Sequence, residues 1–82
     1  MKTIIIDDNK DAAHYLAEHL EKYKDTSVVG IAYNGFDGLI MVSEHQPDLI
    51  FLDVQLPDIS GLDFLDRVDV FTHGRCRVVM YP

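Results

Sequence analysis

Residues 49–61 read LIFLDVQLPDISG. The first four are apolar and predict a buried strand, which ends at a single carboxylate, Asp53. Pro57 and Gly61 then mark a loop that turns the chain back. A carboxylate at the end of a buried strand is unfavourable unless it meets a partner there. Asp53 is therefore the first candidate functional residue, and the rest of the sequence has to supply its partner.

Short apolar, β-branched runs alternate with helical patterns along the whole chain. The predicted strands are residues 3–6, 28–33, 49–52 and 78–81. The predicted helices are residues 10–24, a second that begins near Phe36 and ends before Pro47, and a short third over residues 62–68. Asn9 is the predicted N-cap of the first helix. The order β-α-β-α-β-α-β predicts an α/β fold, with a parallel sheet, right-handed connections and helices on both faces.

Charge and cysteine content exclude several classes of protein. The formal net charge is −7, with seven Lys and Arg residues against 14 acidic ones, so a generic nucleic-acid-binding surface is not expected. A single cysteine, Cys76, excludes an internal disulfide and a multi-cysteine metal site.

The apolar run at the amino end is too short for a signal peptide or a membrane span. We therefore expect a cytoplasmic protein that does not enter the membrane.

The parallel-sheet prediction brings three carboxylates together. Asp7 and Asp8 follow the first strand and Asp53 follows the third. These two strands flank the point where the strand order reverses, and in such sheets ligands bind there, beyond the carboxyl ends of the strands. Three carboxylates in a small pocket repel one another, so an empty site should raise the pKa of at least one. All-oxygen ligation suits Mg²⁺, and Mn²⁺ should substitute. Asp53 also lies where its oxygen could attack a phosphorus atom.

The alternative is that these acidic residues have only a structural role. An Asp-Asp-Asn segment after a strand is often only a solvated turn and helix N-cap, and one acid at a strand end is ambiguous too. Paired acids after one apolar strand and a lone acid after another favour the functional interpretation.

Three separated segments carry a resemblance to a known family. They are IIIDDN at residues 4–9, NGFDGL at residues 34–39 and PDLIFLDVQLPDISG at residues 47–61. In this order and spacing, over nearly the whole chain, they resemble the receiver domain of two-component response regulators. The resemblance implies a flavodoxin-like, three-layer α/β domain that accepts a phosphoryl group from a sensor histidine kinase.

The resemblance also implies a role for each matching residue. Asp53 would be the phosphoacceptor. Asp8 and Asp53 would bind Mg²⁺ directly, the backbone carbonyl of Gln55 would complete the protein ligands, and Asp7 would support the ion through water or a longer contact. Pro57 and Gly61 would shape the loop below the site.

Two departures from the family pattern affect these expectations. The family has a Ser or Thr hydroxyl at the end of its fourth strand, and that position falls on Pro82. The family continues through a further α-β-α portion, including a lysine that contacts the phosphoryl group, which residues 1–82 lack. The fourth strand would then be an open edge, which favours a homodimer or a strand-swapped oligomer. The first sixty residues most resemble receivers attached to LytTR-type DNA-binding domains, so any transcriptional output would lie outside this chain.

Two other functions remain open. One is a pseudo-receiver, an interaction module with the same fold but without phosphotransfer. The other is a Mg²⁺-dependent phosphatase or phosphotransferase of the haloacid-dehalogenase type, whose nucleophile ends the first strand with a second acid two residues later. Here Asn9 occupies that second position, so the phosphatase pattern fails. A receiver is not expected to turn over a separate substrate.

Overall fold

The computed structural model describes residues 1–81. Its elements are β1 (Lys2–Ile6), α1 (Lys10–Leu20), β2 (Ser27–Ala32), α2 (Gly35–His45), β3 (Leu49–Asp53), α3 (Gly61–Thr72) and β4 (Arg77–Tyr81). The order β-α-β-α-β-α-β is the one that the sequence predicts. The Pro82 position, which bears on the missing hydroxyl, lies outside the described residues.

The four strands form one parallel sheet in the order β2-β1-β3-β4. β1 and β3 are therefore neighbours although α1, β2 and α2 separate them in the chain. Their register pairs Ile6 with Leu52, so the two strands end side by side. This confirms the prediction that the first and third strands flank the point where the strand order reverses. In the sheet formed by residues 1–81, β4 is an edge strand.

The main core lies between one face of the sheet and helices α2 and α3. Alternate residues of a strand point to opposite faces, and the even-numbered residues of β1 and β3 point to this one. The buried core residues are Ile4, Ile6, Ala32, Leu39, Val42, Ile50, Leu52, Phe64 and Val68. Apolar burial on this scale is the main force that holds the helices to the sheet.

Helix α1 covers the opposite face less completely. Ala13 is its one fully buried residue, whereas four residues of α2 are buried. Beside α1, an apolar groove of about 390 Å³ remains open, with Leu16 on one wall and Phe51, Val79 and Tyr81 on the sheet side. The sheet therefore has one densely covered face and one partly covered face.

Each helix begins at a polar N-cap. Asn9, Asn34 and Ser60 each accept the backbone N–H three residues later, which satisfies a donor that the helix itself cannot. The predicted cap at Asn9 is confirmed.

Two predicted helix ends were wrong. α1 ends at Leu20 rather than at residue 24, because the following residues are exposed and the N–H groups of Lys22 and Tyr23 turn to carbonyls three residues back. α3 runs on to Thr72, whose buried hydroxyl donates to the carbonyl of Val68. It ends there because His73 adopts a left-handed conformation with φ of 55°.

Candidate functional site: an acidic cluster at the ends of β1 and β3

The strand ends bring the three predicted carboxylates together. Asp7 and Asp8 follow β1, and Asp53 is the last residue of β3. One oxygen from each of these residues lies within 4.8 Å of an oxygen of the other two. Within residues 1–81, this is the one group of three or more His, Cys, Asp or Glu side chains placed to share an ion. The juxtaposition that the sequence predicts is therefore present.

Asp7 is the buried member of the cluster, only 4% exposed, and its carboxylate is held from two sides. Oδ1 accepts the backbone N–H of Asn9 at 2.9 Å, and Oδ2 accepts the hydroxyl of Tyr81 at 2.8 Å. The Asp7 N–H donates to the carbonyl of Ala32 on β2 at 3.0 Å. Hydrogen bonds to both carboxylate oxygens compensate for the burial of this charge.

Asp53 is partly exposed, and its carboxyl has a raised pKa. Burial is the largest cause, and the negative charges of Asp7 and Asp8 add to it, while a hydrogen bond from the Gln55 N–H opposes them. That N–H lies 3.1 Å from Asp53 Oδ1. A cluster that favours a proton on one of its carboxyls is also one that a cation would stabilise.

The remaining predicted site residues lie in the loop after β3 and at the start of α3. Gln55 follows β3 in the loop before α3 and is exposed, as is Pro57. Gly61 is the first residue of α3, where a Cβ atom would come 3.2 Å from the Met80 Cε atom of β4. Met80 is exposed and its Cε atom is the flexible end of the side chain, so this contact alone does not require glycine at position 61.

Asp58 is a structural residue of the site that the sequence prediction missed. Its carboxylate accepts the backbone N–H groups of Gly35 at 2.8 Å and Phe36 at 2.9 Å, the first two residues of α2. These bonds outweigh desolvation and lower the pKa of Asp58. They tie the loop after Asp53 to the neighbouring helix. The sequence signal was weak, because an acid after Pro57 is equally typical of a solvated turn.

Tyr81 is the second residue that the sequence prediction missed. It pairs with Asp53 in the β3–β4 register, and its hydroxyl reaches past the end of β3 to Asp7. Burial raises the pKa of its phenol, and the hydrogen bond to Asp7 and the charges of Asp7 and Asp53 raise it further. The phenol is therefore a neutral donor at neutral pH.

The donor set fits Mg²⁺ or Mn²⁺. Hard divalent cations take oxygen ligands, and Mg²⁺ retains several waters while using one or two carboxylates. The cluster provides three carboxylates of graded exposure, with Asp7 buried, Asp53 intermediate and Asp8 exposed. An ion bound there would have protein oxygens on one side and water on the other.

A search of protein-family models gives the decisive match. Residues 3–81 match the model of the response regulator receiver domain. The chain belongs to this family. The flavodoxin-like α/β fold predicted from the sequence is also the fold of solved receiver domains. The response regulator domain of CheB from Thermotoga maritima superposes with a TM-score of 0.87 at 25% identity, over 98% of this chain and 58% of that one.

Curated relatives extend the receiver comparison to longer proteins. An uncharacterized response regulatory protein from Vibrio cholerae is 38% identical over 69 residues, which are 84% of this chain and 29% of the relative. A protein-glutamate methylesterase/protein-glutamine glutaminase 2 from a Shewanella strain is 35% identical over 68 residues, 83% of this chain and 19% of the relative. This receiver chain thus spans less than a third of either relative. None of the helices within residues 1–81 has the length and apolar character of a membrane-spanning segment.

Proposed function

We propose that Asp53 is the phosphoacceptor of a two-component signalling system and takes its phosphoryl group from a sensor histidine kinase. The observation that carries the proposal is the convergence of Asp7, Asp8 and Asp53 within 4.8 Å in a chain of the receiver family. Asp53 ends β3 beside its buried partner strand and is partly exposed, so an incoming phosphorus atom can reach its oxygen from solvent.

Mg²⁺ would be bound by the carboxylates of Asp8 and Asp53 and by the backbone carbonyl of Gln55, with Asp7 in support, and Mn²⁺ would substitute. When bound, the ion supplies positive charge that offsets the charge of the transferred group. The protein's part is to hold the acceptor. The Gln55 N–H orients one oxygen of Asp53 and leaves the other free to attack. As the new O–P bond forms, the N–P bond to the donor histidine breaks and its electron pair stays on the imidazole nitrogen.

The wider role is proposed on the same basis. The matched relatives are longer, which supports an output domain outside residues 1–82 that reads the phosphorylated state, with transcriptional control as one such output. The absence of the last α-β-α portion of a receiver from this segment stays a prediction. The cytoplasmic location also stays a prediction. The same holds for the lack of turnover of a separate substrate and for self-association through β4.

The test is intact-mass analysis after incubation with acetyl phosphate, a small-molecule phosphoryl donor. We expect one phosphoryl adduct that requires Mg²⁺ and is lost in Asp53→Asn. Asp66→Asn, a matched charge change at an exposed position of α3, should keep the adduct. An adduct that survives Asp53→Asn but disappears in Asp7→Asn would instead support the phosphatase-type nucleophile. No adduct under any condition would refute the proposal for this segment and favour the pseudo-receiver.

A further inference from the structure

We propose that Tyr81 is a positioning residue of the acidic site. Its hydroxyl and the Asn9 N–H together fix the Asp7 carboxylate in the orientation that a divalent cation needs. The inference rests on the proposed function, because it assigns Tyr81 a part in the same metal-supported site.

The strand register places Tyr81 for this role. Tyr81 pairs with Asp53, and paired residues of neighbouring parallel strands project from the same face of the sheet. β1 lies two strands from β4, a distance of roughly 10 Å at the usual strand spacing. A short side chain on β4 cannot span that gap, but the tyrosine hydroxyl, at the far end of the ring, lies 2.8 Å from Asp7 Oδ2.

The surroundings of the Tyr81 ring are apolar. The ring lies on the sheet side of the apolar groove beside α1, with Phe51 and Val79 next to it and Leu16 opposite. A phenylalanine would fill the same apolar space. The hydroxyl is the part of Tyr81 with a polar partner, and that partner is Asp7.

The geometry at Asp7 shows what the hydroxyl does. A carboxylate has about four lone-pair sites, and the two hydrogen bonds to Asp7 use one on each oxygen. Donors on both oxygens stop the carboxylate from rotating, while its other lone pairs stay available to an ion or its water. Outer-shell groups that orient the side chains around a metal site commonly contribute 10- to 100-fold to metal affinity.

The experiment is a Mn²⁺ titration of the purified 82-residue chain, with free Mn²⁺ read from its electron paramagnetic resonance signal. We expect Tyr81→Phe to weaken Mn²⁺ binding by about tenfold or more. The matched control is Tyr23→Phe, which removes the hydroxyl of a tyrosine that is 65% exposed after α1 and should leave the affinity unchanged.

A double-mutant cycle tests whether Tyr81 acts through Asp7. In an Asp7→Asn background, Tyr81→Phe should cause little further loss, because the carboxylate that the hydroxyl holds is gone. Independent, additive losses would overturn the inference.

The outcomes separate the inference from the proposed function. If the unmodified chain neither binds Mn²⁺ nor gains a phosphoryl group, the proposed function fails. If it does both and Tyr81→Phe binds Mn²⁺ equally well or more tightly, the positioning role is refuted and the proposed function stands.

Circular dichroism checks the fold of each variant. Should Tyr81→Phe not fold, Tyr81→Leu supplies the same comparison, since it keeps an apolar side chain in the groove and lacks the hydroxyl.

Discussion

Asp53→Asn should stabilise the metal-free protein, although it removes the residue proposed to be essential for phosphorylation. The change deletes one of three like charges, and the Asn side-chain oxygen can still accept the Gln55 N–H. Two unit charges 4.8 Å apart repel by about 1 kcal/mol in a water-like dielectric. Asp53 has two such neighbours, but salt screening and the exposure of Asp8 reduce the sum to about 1 kcal/mol. For a domain of this size the melting temperature should rise by about 4–8 °C.

Mg²⁺ should reverse the order of stability. An ion that binds only the folded state at ten times its dissociation constant adds about 1.4 kcal/mol to the wild type. Asp53→Asn loses a ligand and should gain much less. The assay is thermal unfolding followed by circular dichroism, in EDTA and in MgCl2. Asp66→Asn corrects for the change in net charge, and we expect it to shift the melting temperature by a smaller amount that does not depend on Mg²⁺.

The pH dependence gives the same prediction an independent check. The pKa of Asp53 is raised in the folded state above its ordinary value of 3.8, so ionisation of Asp53 destabilises the fold as pH rises through that window. Below pH 3.8 the carboxyl is protonated in both the folded and the unfolded states, and the advantage of Asp53→Asn should vanish. Equal or lower stability of Asp53→Asn in EDTA at neutral pH would refute the electrostatic argument.

Three further predictions concern the scaffold. Asp58→Ala should lower the free energy of unfolding by about 1–2 kcal/mol at neutral pH, because α2 loses the acceptor at its first two N–H groups. The lowered pKa of Asp58 means that this difference is complete above pH 3.8 and is lost as pH falls through the folded-state pKa. Gly38→Ala should destabilise by about 1–3 kcal/mol in urea unfolding, since its Cβ would come 2.6 Å from Cδ1 of buried Ile6. Cys76 should react with iodoacetamide about tenfold more slowly than a thiol of pKa 9.0, since burial and the charge of Asp48 raise its pKa to about 11. The scarcer thiolate is partly offset by its greater nucleophilicity.

Each of these predictions has a control and an outcome that contradicts it. Asp66→Ala removes an exposed acid and should change stability little, so a loss equal to that of Asp58→Ala would contradict the capping role. Ser43→Ala places an alanine on the exposed side of α2, and Gly38→Ala should be clearly worse. Urea should restore ordinary reactivity to Cys76, and fast alkylation of the folded protein would disprove its protection.

Most of the fold follows from patterns that the sequence displays directly. The apolar runs of β1 and β3 are long enough to identify strands buried in a parallel sheet, and the alternation with helices defines the order. The helix ends were less predictable. α1 stops at Leu20 and α3 continues to Thr72 because of local hydrogen bonds and burial, which a periodic pattern does not contain.

The candidate site was likewise predictable only in part. The meeting of Asp7 with Asp53 could be predicted, because each carboxylate follows a strand and neighbouring parallel strands end at one edge. The contacts of Tyr81 and Asp58 also join distant parts of the chain, but they could not be predicted. Such contacts depend on the length and rotamer of one side chain in the assembled fold.

The uneven cover of the two sheet faces has a consequence for local opening of the fold. α1 has one fully buried residue, so its amide protons should exchange with deuterium through small opening events, well before those of α2 or the central strands. Asn9, whose N–H holds Asp7, begins this loosely attached helix. Because Asn9 also caps α1 through its side chain, an opening event that reaches the cap would release one of the two donors of Asp7. Ion binding should therefore slow amide exchange in α1. A ligand at one end of the sheet would in this way affect the dynamics of a whole helix.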